Sequence, residues 1–169
     1  MTTSRSRIAR MALVVAAVLA CLAPALPVAA SATSERPTAR RTTALDLDLY
    51  ETQVLRQVNR QRTAHGLHPV RRINRCVDRL SESWAAHLAE TGEFYHRDQH
   101  VVLRRCHMYW AGEALARGTG LLPAGAVSAW MHSPEHRAVI LKRRADRGGI
   151  AARLDGTGRV VLVLNFTDN

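Results

Sequence analysis

Three settings in this sequence put reactive side chains where chemistry is open to them. In the first, Ala126–Leu141 (AVSAWMHSPEHRAVIL), His136 follows a sharp Ser133-Pro134-Glu135 corner. Serine accepts from free N–H groups at a helix start, and proline's fixed φ suits the first helical position. A carboxylate in that turn meets the positive end of the helix dipole. His136 then shares a face with Val139 and Ile140, three and four residues on. An imidazole titrates near neutral pH, so one held at such a corner, with Trp130 near it, can act as a base or a neutral ligand. The same residues also make a well-capped helix and nothing more. The second setting is Ala111-Gly112-Glu113-Ala114-Leu115-Ala116, where one carboxylate stands in an apolar segment. Unpaired charge is costly to bury, so Glu113 has to reach water, a cation or several donors. The third is the pair Cys76 and Cys106, neither in the C-x-x-C spacing that would favour a metal role. In an exported chain such a pair most simply forms one disulfide, with two buried free thiols as the alternative.

The elements that must position these residues follow from hydrophobic period and punctuation. Leu47, Tyr50, Val54, Leu55 and Val58 form the stripe of a first helix, begun by Asp46 or Asp48 and stopped by Gly66. Asn59-Arg60-Gln61-Arg62 continues its polar face, and Val70–Ile73 is a short extended piece. Asn74 caps a second helix to about Glu90, with Val77, Leu80, Trp84 and Leu88 on one side and Gly92 at its end. His87 reads there as a packed, neutral, hydrogen-bonded histidine. After Glu93-Phe94-Tyr95-His96 the chain reads as an irregular polar stretch to Trp110, holding His100, Cys106 and His107. So long a connection needs a function or a staple. Gly118 and Gly120 form a loop, Pro123 opens the Trp130 helix, and Gly148-Gly149 breaks the pattern after His136. Ile150, Ala152 and Leu154 alternate as a strand with one covered face. After the turn Asp155-Gly156-Thr157-Gly158, the run Val160–Phe166 (VVLVLNF) reads as a strand covered on both faces. Helices followed by a terminal hairpin make an α+β domain with a small antiparallel sheet between helices.

Residues 1–32 have a basic start (Arg5, Arg7, Arg10), an apolar run from Met11 to about Ala30, and an A-x-A-like end at Ala30-Ser31-Ala32. That is the pattern of a cleaved signal peptide. Pro24 and Pro27 cut the run short of a membrane span, so no stable transmembrane span is expected after cleavage. Val18-Leu19-Ala20-Cys21 faintly resembles a lipoprotein box, but the apolar stretch continues well beyond Cys21. Residues 33–45 read as a polar linker and 46–169 as a single domain, too short for two. The formal charge is +10; the leader holds three arginines and no acid, leaving 21 basic against 14 acidic residues, a net +7. For a secreted protein the matching polyanions are cell-envelope polymers or lipid head groups. No aromatic-rich nucleic-acid module is visible, so nucleic acid is not an expected partner, and the domain is expected to be a monomer.

Taken in order, the motifs resemble a known family. They are Asn59-Arg60, Trp84-Ala85 with Leu88-Ala89, Phe94-Tyr95-His96, Gly112-Glu113-Ala114-Leu115-Ala116, and Trp130-Met131 with Ser133-Pro134-Glu135-His136-Arg137. With the terminal hairpin they are similar to the CAP superfamily (cysteine-rich secretory proteins, antigen 5 and pathogenesis-related proteins), in its bacterial SCP-like extracellular branch. The resemblance covers about Leu47 to Phe166. It implies a three-layer α-β-α sandwich, and a central cavity of histidines and acids that holds a divalent cation in some members. His96 then matches the first cavity histidine, Glu113 the glycine-glutamate acid and His136 the histidine of the bacterial S-P-x-H-R segment. Three departures stand out. Ala114 replaces a frequent asparagine, Ser133 stands where eukaryotic members place a second acid, and a later histidine before the last strand has no counterpart. Glu135 is a weaker candidate for that second acid, since its first-turn position already has a capping role.

His96, Glu113 and His136 are a reasonable ligand set for Zn²⁺, Mg²⁺ or Ca²⁺ with a water-filled position, although a hydrogen-bonded His–Glu pair satisfies the same residues without metal. No serine or cysteine stands in a recognisable nucleophile elbow. The favoured expectation is therefore a secreted, non-catalytic module that binds a cation, lipid or envelope polymer. Its rival is a hydrolase acting through metal-bound water, and a third possibility is a protein-interaction domain whose cavity residues are structural.

Overall fold

Residues 45–70 and 72–168 are described by a computed structural model. The signal peptide expected over 1–32 and residues 33–44 of the expected linker lie outside them. Helix α1 (Leu47–Ala64) begins where Asp46 accepts from the Leu49 N–H at 3.0 Å, and it closes on His65. Gly66 follows at φ +69°, a left-handed turn that glycine adopts without penalty. Tyr50, Val54 and Val58 are buried as their spacing requires. The expected polar continuation fails at Arg62, which is fully buried. Arg62 lies four residues after Val58 and so extends the same stripe. Its guanidinium donates to the carbonyl oxygens of His68, Ile140, Lys142 and Ala145 at 2.7–3.0 Å.

Strand β1 (Arg72–Ile73) and helix α2 (Arg75–Thr91) follow, the latter capped by the Asn74 side chain and ended by Gly92 at φ +74°. The expectation of an irregular stretch from after His96 to Trp110 needs correction, because helix α3 (Gln99–Cys106) occupies more than half of it. Asp98 caps α3 by accepting from the His100 N–H at 3.0 Å. Val102 and Cys106, four residues apart, give it a buried side, and a Cys76–Cys106 disulfide ties its end to the start of α2. Then come β2 (Trp110–Gly118), α4 (Pro123–His132), α5 (Pro134–Ile140), β3 (Arg147–Leu154) and β4 (Val160–Asp168).

The sheet order is β1-β3-β4-β2. Its three long strands are antiparallel, with β2 paired along β4 and β3 along β4's other side. Beyond the expected antiparallel sheet, β1 adds a two-residue parallel edge to β3. Gly148 and Gly149 do not break the pattern; they lie inside β3. A Cβ on Gly149 would stand 2.5 Å from the Asp78 backbone nitrogen, and one on Gly148 would stand 2.8 Å from the Asn165 carbonyl oxygen. Glycine is what lets α2 lie on the strand. The exposed side of β3 beyond β1 is closed by carboxylates, Asp78 accepting from Ile150 N and Glu51 from Ala152 N.

Strand alternation sorts the core into two layers. Ala114, Ile150, Leu162, Leu164 and Phe166 pack under α1, α4 and α5 through Val54, Val58, Trp130 and Ile140. Leu115, Ala151, Val161 and Val163 face Ala85 and Leu88 of α2. With every residue of β4 buried, each apolar side chain there contributes roughly 1.5–3 kcal/mol of burial. The result is the expected α-β-α sandwich. No helix among the described residues is long and apolar enough to cross a membrane.

Candidate functional site

Glu113 sits at the middle of β2, an outer strand of the sheet. Alternation turns it to the same face as Leu115, the α2 side. Its neighbour Gly112 explains how a second element reaches this edge. A Cβ there would meet the Trp110 ring at 2.8 Å and Val139 at 3.1 Å, so the bare glycine lets α5 seat against the strand. Val139 is three residues after His136 and on the same helical face, which brings that imidazole to the edge of β2. The corner itself is built as its residue types predict. Ser133 accepts from His136 N at 3.5 Å and donates to Glu135 Oε2 at 3.0 Å.

His96 arrives from the segment before α3. Its Nδ1 lies 2.9 Å from Glu113 Oε1, and the Arg97 backbone N–H donates to the same oxygen at 3.0 Å. The His96 and His136 rings stand 5.7 Å apart, centroid to centroid. Together with Gln99, Glu135 and Val139 they line a hollow of about 220 Å³. The structure therefore gathers His96, Glu113 and His136 from three distant segments, with exposed Glu135 at the border both capping α5 and facing the hollow. Trp130 is not in the lining. Its Nε1–H donates to Leu115 O at 2.8 Å and anchors α4 to β2. His87 also stands outside the lining, stacked on Trp84 and 3.2 Å from the Tyr95 hydroxyl.

The electrostatics of the hollow are uneven. The Glu113 side chain is 1 % exposed, whereas that of His96 is 54 % exposed. Burial pushes the Glu113 carboxyl above its ordinary pKa, with the His96 and Arg97 hydrogen bonds pulling the other way. Both donors fall on Oε1; Oε2 is buried and has no hydrogen-bond partner among the described residues. Burial, and then His96, lower the pKa of His136, with Glu135 pulling the other way. Glu135 is held below its ordinary value by its own backbone N–H and by Ser133.

Sequence reasoning missed Gln99. Its Nε2 donates to Arg97 O at 3.0 Å, which leaves Oε1 buried and unpartnered among the described residues. The Asp98 cap ahead of Val101-Val102 was a readable sign of a helix start, yet nothing local says that this turn lies against β2. Among the described residues no group of three or more His, Cys, Asp and Glu side chains stands where it could hold a metal ion. His96 spends Nδ1 on Glu113, and the donors as placed do not fit a ligand cage. A larger groove of about 680 Å³ lies elsewhere, lined by Leu45, Leu49, Tyr50, Leu122, Leu154 and Val160 among others. Burial raises the Tyr50 hydroxyl at its side to about 12.

With this fold and this edge-of-sheet site in view, comparison with known proteins is direct. The family model for CAP, the cysteine-rich secretory protein family, matches residues 55–166. The chain belongs to the CAP family. Its fold is similar to that of an outer surface protein of Borrelia burgdorferi, with a TM-score of 0.64 at 18% identity over 74% of this chain and 96% of that one. It is also similar to a cysteine-rich secretory protein of Staphylococcus aureus, with a TM-score of 0.58 at 22% identity over 73% of this chain and 40% of that one. No curated protein matches the chain.

Proposed function

We propose that this chain is an exported CAP-domain binding module without a catalytic role, which engages a lipid or cell-envelope ligand through the His96–Glu113–His136 hollow. The observation that carries this reading is the Glu113 carboxylate, buried in the hollow's lining with one oxygen doubly served and the other without a partner among the described residues. A buried acceptor without a donor costs about 1–3 kcal/mol, and a ligand that supplies the donor or the positive charge recovers it. At about 220 Å³ the hollow is smaller than the roughly 300–1,000 Å³ of a pocket for a drug-sized molecule. It suits an ion or the end group of something larger. The net +7 of residues 33–169 favours approach to an anionic surface, and the disulfide suits an oxidising compartment outside the cytosol.

Zn²⁺, Mg²⁺ and Ca²⁺ are the inorganic occupants to test. The secreted protein is pelleted with cell envelopes and with phosphatidylglycerol vesicles, and titrated calorimetrically with each ion. His96→Ala and Glu113→Gln should each weaken retention or ion binding about tenfold, the loss of one charge-assisted hydrogen bond. Raising salt should weaken the surface contribution alone. Retention indifferent to both substitutions overturns the site. Hydrolysis of a peptide, ester or phosphodiester that Glu113→Gln abolishes overturns the non-catalytic assignment.

A further inference from the structure

We propose that the end group recognised in this hollow is a primary ammonium, and that Gln99 selects it. The inference rests on the binding reading above and names its ligand chemistry. The unsatisfied groups here share one character. Glu113 Oε2 and Gln99 Oε1 belong to residues that line the hollow, are both buried, and are both acceptors without a donor among the described residues. Asn165, paired with Glu113 across the β2–β4 ladder, donates its Nδ2–H to Ser81 Oγ and likewise leaves Oδ1 without a partner among the described residues. The Gln99 amide cannot simply be reversed, because its nitrogen already donates to Arg97 O. An anion would add acceptors beside two oxygens that already lack donors among the described residues. A bare metal ion needs convergent ligands, and no three His, Cys, Asp or Glu groups converge among the described residues.

A primary ammonium carries one positive charge and three N–H donors fanned about a single nitrogen. One donor serves the carboxylate oxygen, a second the amide oxygen, and the third faces the imidazoles at the mouth. The carboxylate supplies charge, and the neutral Gln99 oxygen supplies direction. The hollow admits the ammonium end of a molecule whose remainder stays outside. An amino sugar and an ethanolamine head group both present that end.

Methylammonium chloride is titrated into the secreted protein by NMR or calorimetry, beside tetramethylammonium, which has the charge and no N–H donor. Zn²⁺, Mg²⁺ and Ca²⁺ are run in parallel. Methylammonium should bind, tetramethylammonium should not, and Gln99→Leu should weaken methylammonium about tenfold. Gln99→Glu, which keeps the acceptor, should bind it at least as well as wild type, and circular dichroism of both variants controls for folding. Competition by glucosamine or by phosphatidylethanolamine vesicles then distinguishes the two sources. Equal binding of tetramethylammonium, or indifference to Gln99→Leu, overturns the proposal. Heat from a metal ion with none from methylammonium overturns it while leaving the hollow a binding site. If neither binds and envelope retention ignores Glu113, the binding reading itself falls.

Discussion

Two buried charges of opposite sign divide this molecule into scaffold and site. Arg62 is fully buried inside the layer of α1, α4 and α5, and the structure meets it with four carbonyl oxygens and the face of Phe166. Glu113 is 5 % exposed at the edge of β2, and both of its donors fall on one oxygen. The carbonyls around Arg62 come from the segment between α1 and β1, the end of α5 and the turn before β3, so the cation ties three chain segments to α1. Nothing remains for it to offer a ligand. Glu113 keeps an acceptor in reserve beside an open hollow. Burial of charge is common to both; completeness of satisfaction separates them.

The comparison can be broken most decisively at Arg62. Arg62→Met leaves the carbonyls of His68, Ile140 and Ala145 without their donor, while Lys142 O keeps one from Ala145 N; at about 1–3 kcal/mol each for orphaned buried groups the loss consumes much of a stability of about 5–15 kcal/mol. Urea unfolding should show the variant largely unfolded, and an unchanged midpoint would mean the tie is ornamental. Opening the Cys76–Cys106 bridge in Cys76→Ser/Cys106→Ser comes next. Closing a loop of 30 residues is worth roughly 3–4 kcal/mol in the chain-entropy model. Hydrogen exchange in the double variant should rise first in α3, where Gln99 sits, and ligand affinity should fall with it.

A smaller effect is expected at the site. Glu113→Gln keeps an acceptor for His96 and Arg97 while removing the buried charge, so thermal stability should stay within about 1 kcal/mol of wild type even as binding weakens about tenfold. A collapse as severe as that of Arg62→Met would make Glu113 scaffold too. The smallest effect concerns a carboxylate that is complete in the way Glu113 is not. Asp155 accepts at Oδ1 from Thr157 N, Thr157 Oγ1 and Arg159 N, and at Oδ2 from Arg159 Nε. These donors hold its pKa far below the usual carboxylate range. A depressed folded pKa gives stability that is present above the ordinary aspartate value and is lost as pH falls through the folded one. Asp155→Asn should therefore show a shallower loss of stability below pH about 4. An identical acid slope in the two proteins would remove Asp155 from the comparison.

Much of the fold was legible in residue order. Helix caps at Asp46, Asn74 and Ser133, the left-handed stop at Gly92 and the doubly covered strand ending in Phe166 are local chemistry, and each stands where its residue type demands. Arg62 was misread because an arginine among polar neighbours resembles a solvated face, although its place four residues after Val58 pointed inward. Gly148-Gly149 was misread for a similar reason. Two glycines look like a break until α2 is laid across them. Helix α3 was passed over in a connection crowded with histidines and arginines.

The identities of His96, Glu113 and His136 could be named from motif resemblance, and the pairing of the two cysteines from their number in an exported chain. Their distances could not, and neither could the entry of Gln99 into the hollow. Periodicity, caps and turns act over a few residues, so they can be read along the chain. Which oxygen of a buried carboxylate goes unserved depends on segments 16 to 23 residues away being packed by a whole sheet, and no local preference encodes that.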